Sequence, residues 1–180
     1  MGSPVHVRLA SAGSSAHDLL LELAGTLVDR PSLTHDKAGR PQVPGLAVSV
    51  SYSPRRIAVA ASYGGPVGID LEELTPRDFR PLADRWFAQR EVAWLAGQPD
   101  QLEAFLRLWT AKEAVGKALG LGLRRSGLRR EMPLDGGPVD SAPGLAVTHL
   151  PCPDGVLALA TPATASHQVS PGLDPLCARG

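Results

Sequence analysis

Trp109-Thr110-Ala111-Lys112-Glu113-Ala114-Val115-Gly116-Lys117-Ala118-Leu119-Gly120 is the stretch around which the chain is organised. The sequence has fifteen Arg but three Lys, and Lys112 and Lys117 both fall inside this dodecapeptide. Keeping Lys in so Arg-rich a chain points to a need for a slim ammonium rather than a planar guanidinium. On a helix beginning near Leu102, the 3.6-residue period puts Leu108, Ala111, Val115 and Leu119 on one apolar stripe. Leu102, Leu106 and Trp109 form a second line that continues into Glu113 and Lys117. Two readings follow: an i,i+4 pair on a solvated helix, contributing roughly 0.2–0.5 kcal/mol, or a charged pair facing a cleft. The second requires partners elsewhere in the chain.

A partner stretch is Val67-Gly68-Ile69-Asp70-Leu71-Glu72. Strand alternation sends Val67, Ile69 and Leu71 to one face and Gly68, Asp70 and Glu72 to the other. Same-face neighbours on a strand lie roughly 6.6–7 Å apart, so the two carboxylates can share a hard cation or its water shell. An exposed polar face on an edge strand is the alternative. Upstream, Leu46 to Ser53 alternates Leu46, Val48, Val50 and Tyr52 against Ala47, Ser49, Ser51 and Ser53, as a half-buried strand does, and Ile57 to Ala61 returns after a turn. With the Val67 strand these are expected to form one antiparallel meander.

The remaining elements fit around this frame. A short strand is expected over Val5 to Leu9 and a helix from His17 to Val28, with Pro31 beyond its end. Thr75 to Gly97 reads as two helical pieces broken near Ala88, and Asp100 suits the N-cap of the central helix. Leu145 to Leu150 and Val156 to Ala160 read as a hairpin, and residues 161–180 as a loose tail. Trp86 and Trp94 read as core residues.

Composition narrows the function classes. Net charge is zero in 180 residues, with no extended basic or acidic block, so bulk electrostatic binding to nucleic acid or membrane is not expected. The longest apolar run near the N-terminus is Leu19-Leu20-Leu21, so neither a signal peptide nor a spanning helix is expected and the protein should be cytoplasmic. Cys152 and Cys177 have no metal-ligand spacing and are expected as thiols. Arg124, Arg125, Arg129 and Arg130 are either solvated charge or a docking patch for an acidic partner.

Taken together, Asp70, Glu72 and Glu113 are hard oxygen donors suited to Mg²⁺ or Mn²⁺, and Lys112 and Lys117 suit a phosphate anion. The pair of stretches, about 40 residues apart, resembles the double signature of the 4′-phosphopantetheinyl transferase superfamily. Gly39-Arg40-Pro41 and Ser51-Tyr52-Ser53 are similar to two upstream elements of its single-chain, surfactin-synthetase-activating type, with Tyr52 standing where that family commonly has His. The resemblance is good over about residues 38–123.

The resemblance implies an α+β fold, a pseudo-dimer of two similar lobes, each an antiparallel sheet packed on a long helix, with the active site between them. The lobes would be residues 1–66, shorter than the family's usual N-terminal lobe, and 67–160. It implies transfer of the 4′-phosphopantetheine arm of coenzyme A to a serine of an apo acyl, peptidyl or aryl carrier protein, with release of adenosine 3′,5′-bisphosphate. Asp70, Glu72 and Glu113 match the metal-binding acids, Glu113 also the general base, and Lys117 the lysine that binds phosphate and assists the leaving group. Arg40, Ser51 and Tyr52 match positions that grip the 3′-phosphate end of coenzyme A, and Lys112 is assigned with Lys117 to the phosphates. The protein is expected to act as a monomer. The alternative is a degenerate relative that binds carrier or coenzyme A without efficient catalysis, motivated by Tyr52 and the short N-terminal lobe.

Overall fold

The computed structural model describes residues 3–123 and 127–171. In chain order the elements are β1 (Val5–Ser11), α1 (Ala16–Gly25), β2 (Thr34–His35), β3 (Pro41–Gln42), β4 (Ala47–Tyr52), β5 (Arg56–Ser62) and β6 (Gly68–Glu73). They are followed by α2 (Arg80–Trp86), α3 (Gln89–Ala96), α4 (Gln101–Ala118), β7 (Gly137–Pro138), β8 (Leu145–Leu150), β9 (Gly155–Pro162) and β10 (His167–Pro171).

Two four-stranded sheets stack face to face, with orders β10-β1-β5-β4 and β6-β9-β8-β7. Alternation builds the layers. Val5, Val7 and Leu9 of the first sheet meet Ile69, Leu71, Leu157 and Leu159 of the second in a central core. The opposite faces receive helices: Ile57, Val59 and Ala61 pack on Leu19, Leu20 and Leu23 of α1. Val147, Val156, Ala158 and Ala160 pack with Leu108, Ala111, Ala114 and Val115 of α4. Burying each such large aliphatic side chain contributes about 1.5–3 kcal/mol. The two halves share one connectivity. β1-α1-β4-β5 pairs as β1-β5-β4, and β6-α4-β8-β9 pairs as β6-β9-β8. Among the described residues no helix is long and apolar enough to cross a membrane.

Three expectations are corrected. β6 does not continue the β4-β5 meander but opens the second sheet against β9. Ser49 and Ser51 do not face solvent; both are buried, and their Oγ atoms accept the backbone N–H of Ile69 (3.0 Å) and Leu71 (3.1 Å). Ser53 Oγ in turn donates to Glu73 Oε1 at 2.9 Å. Ser49 and Ser51 of β4, and Ser53 just beyond its end, thus hydrogen-bond to β6, so serine hydroxyls join the two sheets where a backbone ladder would otherwise run. Residues 161–171 are not a loose tail: β9 ends at Pro162, and β10 pairs in parallel with β1, which makes the first sheet mixed rather than antiparallel. Backbone pairing with a buried strand outweighs the tail's weak composition. The last residues, with Cys177, lie outside the described chain, as do Arg124 and Arg125.

The helix ends follow the sequence. Asp100 caps α4 by accepting the Glu103 N–H at 2.9 Å, and α2 and α3 part at Phe87 and Ala88. α4 has no exposed polar flank of the usual kind, because ten of its residues, Lys112 among them, are buried. Its contact with β6 depends on Gly68, where a Cβ would overlap the Ala114 carbonyl oxygen and lie 2.7 Å from the Ala118 nitrogen. Gly116 is similarly pressed on the Gly122 carbonyl. Gly68→Ala is expected to cost about 1–3 kcal/mol and to push the strand acids away from α4. The expected readouts are a lowered urea midpoint and lost activity; unchanged stability would refute the close approach.

His149 supplies a pH-dependent element. The geometry requires its Nε2–H to donate to the Arg107 carbonyl at 3.0 Å, leaving Nδ1 buried with no partner among the described residues. Burial, reinforced by the Arg107 charge, pushes its pKa down to about 4. The unfolded chain, with an ordinary histidine near ~6.5, therefore binds the proton first. Stability is lost as pH falls from that value towards 4. His149→Leu is expected to flatten this limb of the melting temperature against pH; an unchanged slope would refute it.

Candidate active site

A cleft of about 440 Å³ opens where the two halves meet. β4 contributes Val48 to Val50 and Tyr52, and α4 with its C-terminal turn contributes Glu113, Lys117 and Gly120 to Gly122. The hairpin carrying β2 and β3 contributes Leu33, His35 and Ala38 to Pro41, and the first turns of α1 contribute Ala16, His17 and Leu20.

Lys117 lies at the seam. Its Nζ donates to the carbonyls of Val50 (3.2 Å) and Ile69 (2.9 Å) and to Asp70 Oδ1 (2.8 Å), touching β4, β6 and a carboxylate at once. Asp70 is nearly buried and also accepts from Ser51 Oγ at 3.0 Å. Glu72, further along the same face of β6, pairs with Arg77 at 3.0 Å. Glu113 faces these acids from α4. Burial first, then the charges of Asp70 and Glu72, push its carboxyl above the usual range, with Lys117 opposing. A carboxylate raised in this way is a stronger proton acceptor than a free one.

The donor chemistry fits a hard divalent cation only in an open manner. Among the described residues no group of three His, Cys, Asp or Glu side chains forms a ready metal cage. Asp70 and Glu72 are instead turned to Lys117 and Arg77. Mg²⁺ commonly takes one or two carboxylates and completes its shell with water and substrate phosphate. The mutual repulsion felt at Glu113 marks a place where such a cation would be favoured.

Arg40 stands at the cleft mouth. Asp36 shapes its hairpin: Oδ1 accepts the backbone N–H of Ala38 (2.8 Å) and Arg40 (2.9 Å), and Oδ2 accepts Arg40 Nε (2.8 Å). The Arg40 N–H and guanidinium hold the Asp36 carboxyl below its ordinary value. Arg40 Nη1 reaches the Gly120 carbonyl at 2.7 Å, tying the hairpin to the end of α4 across the cleft. Tyr52 is 67% exposed on the cleft wall.

Two residues assigned to ligand binding are placed elsewhere. Lys112 has no exposed surface; its Nζ donates to both Glu91 oxygens at 2.7 Å and to the Arg130 carbonyl at 2.5 Å. It also lies 4.6 Å from the centre of the Phe87 ring. It faces α3, away from the cleft. Ser51 points its hydroxyl into the seam with β6 and is absent from the cleft lining. Of the Arg cluster, Arg129 stacks 5.3 Å from the Trp86 ring centre, and Arg130 is half-buried. Sequence reasoning missed Ser49, His17, His35 and Glu91. The alternate serines Ser49, Ser51 and Ser53 were the available signal for Ser49, whereas nothing local marks Glu91, which lies 21 residues before its partner.

Residues 66–141 match the family model described as the 4′-phosphopantetheinyl transferase superfamily. Over 84 residues the chain is 40% identical to 4′-phosphopantetheinyl transferase HetI of Nostoc sp., covering 45% of this chain and 35% of that protein. It is 38% identical to 4′-phosphopantetheinyl transferase AcpT of Salmonella typhi, over 54% of each chain. It is 36% identical to 4′-phosphopantetheinyl transferase gsp of Aneurinibacillus migulanus, over 42% of this chain and 32% of that one. The chain thus spans about a third to a half of the length of these relatives. By its match over residues 66–141 and by these relatives, the chain is similar over that stretch to the 4′-phosphopantetheinyl transferase superfamily.

Proposed function

We propose that the protein transfers the 4′-phosphopantetheine arm of coenzyme A to a serine hydroxyl of an apo acyl, peptidyl or aryl carrier protein. Adenosine 3′,5′-bisphosphate is the other product. The observation that carries this reading is that Glu113 and Lys117, one helical turn apart on α4, line a cleft that Arg40 also lines, while Lys117 bonds Asp70 and the charges of Asp70 and Glu72, which do not themselves line the cleft, act on Glu113. Further parts of the reading are a cytoplasmic monomer, a structure of two duplicated lobes, and kinship with the single-chain, surfactin-synthetase-activating class.

Glu113, raised by its surroundings, takes the proton of the carrier serine, directly or through one water. The serine oxygen bonds to the phosphorus that carries pantetheine, and the bond from that phosphorus to the bridging diphosphate oxygen breaks. Lys117, fixed by three acceptors, offsets the charge that collects on the departing phosphate. Its three protons are all engaged, so it acts through charge or exchanges one backbone carbonyl for the phosphate. Asp70, Glu72 and Glu113 would be the residues to hold Mg²⁺ (or Mn²⁺), which would supply charge neutralisation on the phosphates. Such chemistry rests mainly on positioning and preorganised charge.

The test is labelling of a panel of apo carriers with a fluorescent coenzyme A analogue, with and without Mg²⁺. Transfer that requires both Mg²⁺ and the carrier serine is the expected result. Carrier or coenzyme A binding without transfer to any carrier would replace this reading with that of a non-catalytic relative.

A further inference from the structure

Ser49 and Ser51 make the same bond between the sheets, but only Ser51 also reaches an acid of the candidate site. Both hydroxyls are buried, and each accepts a backbone N–H of β6, from Ile69 at 3.0 Å and from Leu71 at 3.1 Å. For the Ser49 hydroxyl that is the one hydrogen bond among the described residues. Ser51 Oγ, in addition, donates its single proton to Asp70 Oδ1 at 3.0 Å. A hydroxyl has one proton to give, and the Leu71 N–H that Ser51 accepts leaves that proton to the carboxylate.

Asp70 Oδ1 is thereby held from two elements at once. Lys117 Nζ reaches it from α4 at 2.8 Å, and Ser51 Oγ reaches it from β4, while the residue itself belongs to β6. Two donors converging on one oxygen fix the plane of the carboxylate. The other oxygen, Oδ2, takes no hydrogen bond among the described residues, and it is not one of the buried polar atoms left without a partner, so it keeps access to solvent. The Asp70 charge also acts on Glu113 across the site. The free oxygen and the Glu113 carboxyl therefore belong to one electrostatic environment.

We propose that Ser51 is a positioning residue, which holds Asp70 Oδ1 so that Oδ2 is presented to a divalent cation, and that it does not grip coenzyme A. Ser51 acts through Asp70 and touches neither cation nor substrate. This inference rests on the transferase reading for the identity of the cation and of the phosphates that complete its shell. Hydrogen bonds that orient a metal ligand typically govern metal affinity by roughly 10–100-fold.

The test compares Ser51→Ala, Ser51→Thr and Ser49→Ala with the wild-type chain. Bound Mn²⁺ is read by electron paramagnetic resonance with saturating coenzyme A and no carrier, coenzyme A affinity by calorimetry in EDTA, and stability by the urea midpoint. Ser51→Ala is expected to weaken Mn²⁺ binding at least about tenfold and to leave coenzyme A affinity in EDTA unchanged. Ser51→Thr keeps the hydroxyl and is expected to hold Mn²⁺ as the wild type does. Ser49→Ala removes the equivalent bond between the sheets, so its urea midpoint is expected to fall comparably while Mn²⁺ affinity stays intact. Ser51→Cys, of similar size but with a weak donor, carries the same expectation as Ser51→Ala should that variant not fold. Equal Mn²⁺ losses in Ser49→Ala and Ser51→Ala, unchanged Mn²⁺ affinity in Ser51→Ala, or a loss of metal-free coenzyme A affinity in Ser51→Ala overturns the proposal. A wild-type chain that binds Mn²⁺ but modifies no carrier overturns the transferase reading alone. One that modifies a carrier without taking up Mn²⁺ overturns this proposal alone.

Discussion

Replacing Lys112 by methionine is expected to destabilise the fold by about 3–5 kcal/mol, because one member of a fully buried ion pair then remains without its partner. Lys112 and Glu91 are both 0% exposed, and the ammonium meets both carboxylate oxygens. Burial pushes the Lys112 pKa down while the Glu91 charge pulls it back up, so the pair holds its charge only as a pair. Glu91 has further duties: its carboxylate accepts the backbone N–H of Ala88 (2.9 Å) and of Met132 (2.9 Å). It thus ties the start of α3 and the segment after the Arg cluster to α4. Replacing both partners by methionine is expected to recover only part of the loss, since those two N–H groups would remain unsatisfied. Urea denaturation of the two single variants and the double variant measures the coupling. A phosphate-binding role for Lys112 would instead appear as weakened coenzyme A binding in a chain of unaltered stability.

Glu113→Gln is expected to lower the transfer rate about 10²–10⁴-fold, the range for loss of a positioned general base. Stability should not fall with it. Glu113 is crowded by burial and by the charges of Asp70 and Glu72, and a neutral amide of the same shape removes that repulsion. A melting temperature equal to or above that of the wild type, alongside a large loss of rate, is the combined expectation. A comparable fall in both would make Glu113 a structural residue.

The sequence made the frame legible where local chemistry decides it. The Asp100 cap, the break before α3, the β8-β9 hairpin and the alternation of β6 each follow from nearby residues alone. The acids were legible too, since Gly68, Asp70 and Glu72 share one face of β6 and helical spacing aligns Glu113 with Lys117. What failed depends on partners distant in sequence. Lys112 looked like its neighbour Lys117 because the direction of its side chain is decided by Glu91. The alternation around Ser49 and Ser51 read only as a half-buried strand, and Ser51 as a ligand contact, because the strand they meet begins at Gly68 and pairs into the other sheet. β10 was missed because its composition is weak and its stability comes from β1, more than 150 residues earlier. The walls of the cleft at His17 and His35 come together through tertiary packing alone.

Whether Glu113 and Lys117 act with the β6 acids to move a phosphopantetheine arm is decided by the intact mass of an apo carrier protein after incubation with coenzyme A, Mg²⁺ and the wild-type chain at catalytic concentration. The expected result is a mass gain of one phosphopantetheine group on the carrier serine, matched by adenosine 3′,5′-bisphosphate in equal amount, with Glu113→Gln under the same conditions yielding almost none of either. A carrier modified equally by both proteins would contradict it.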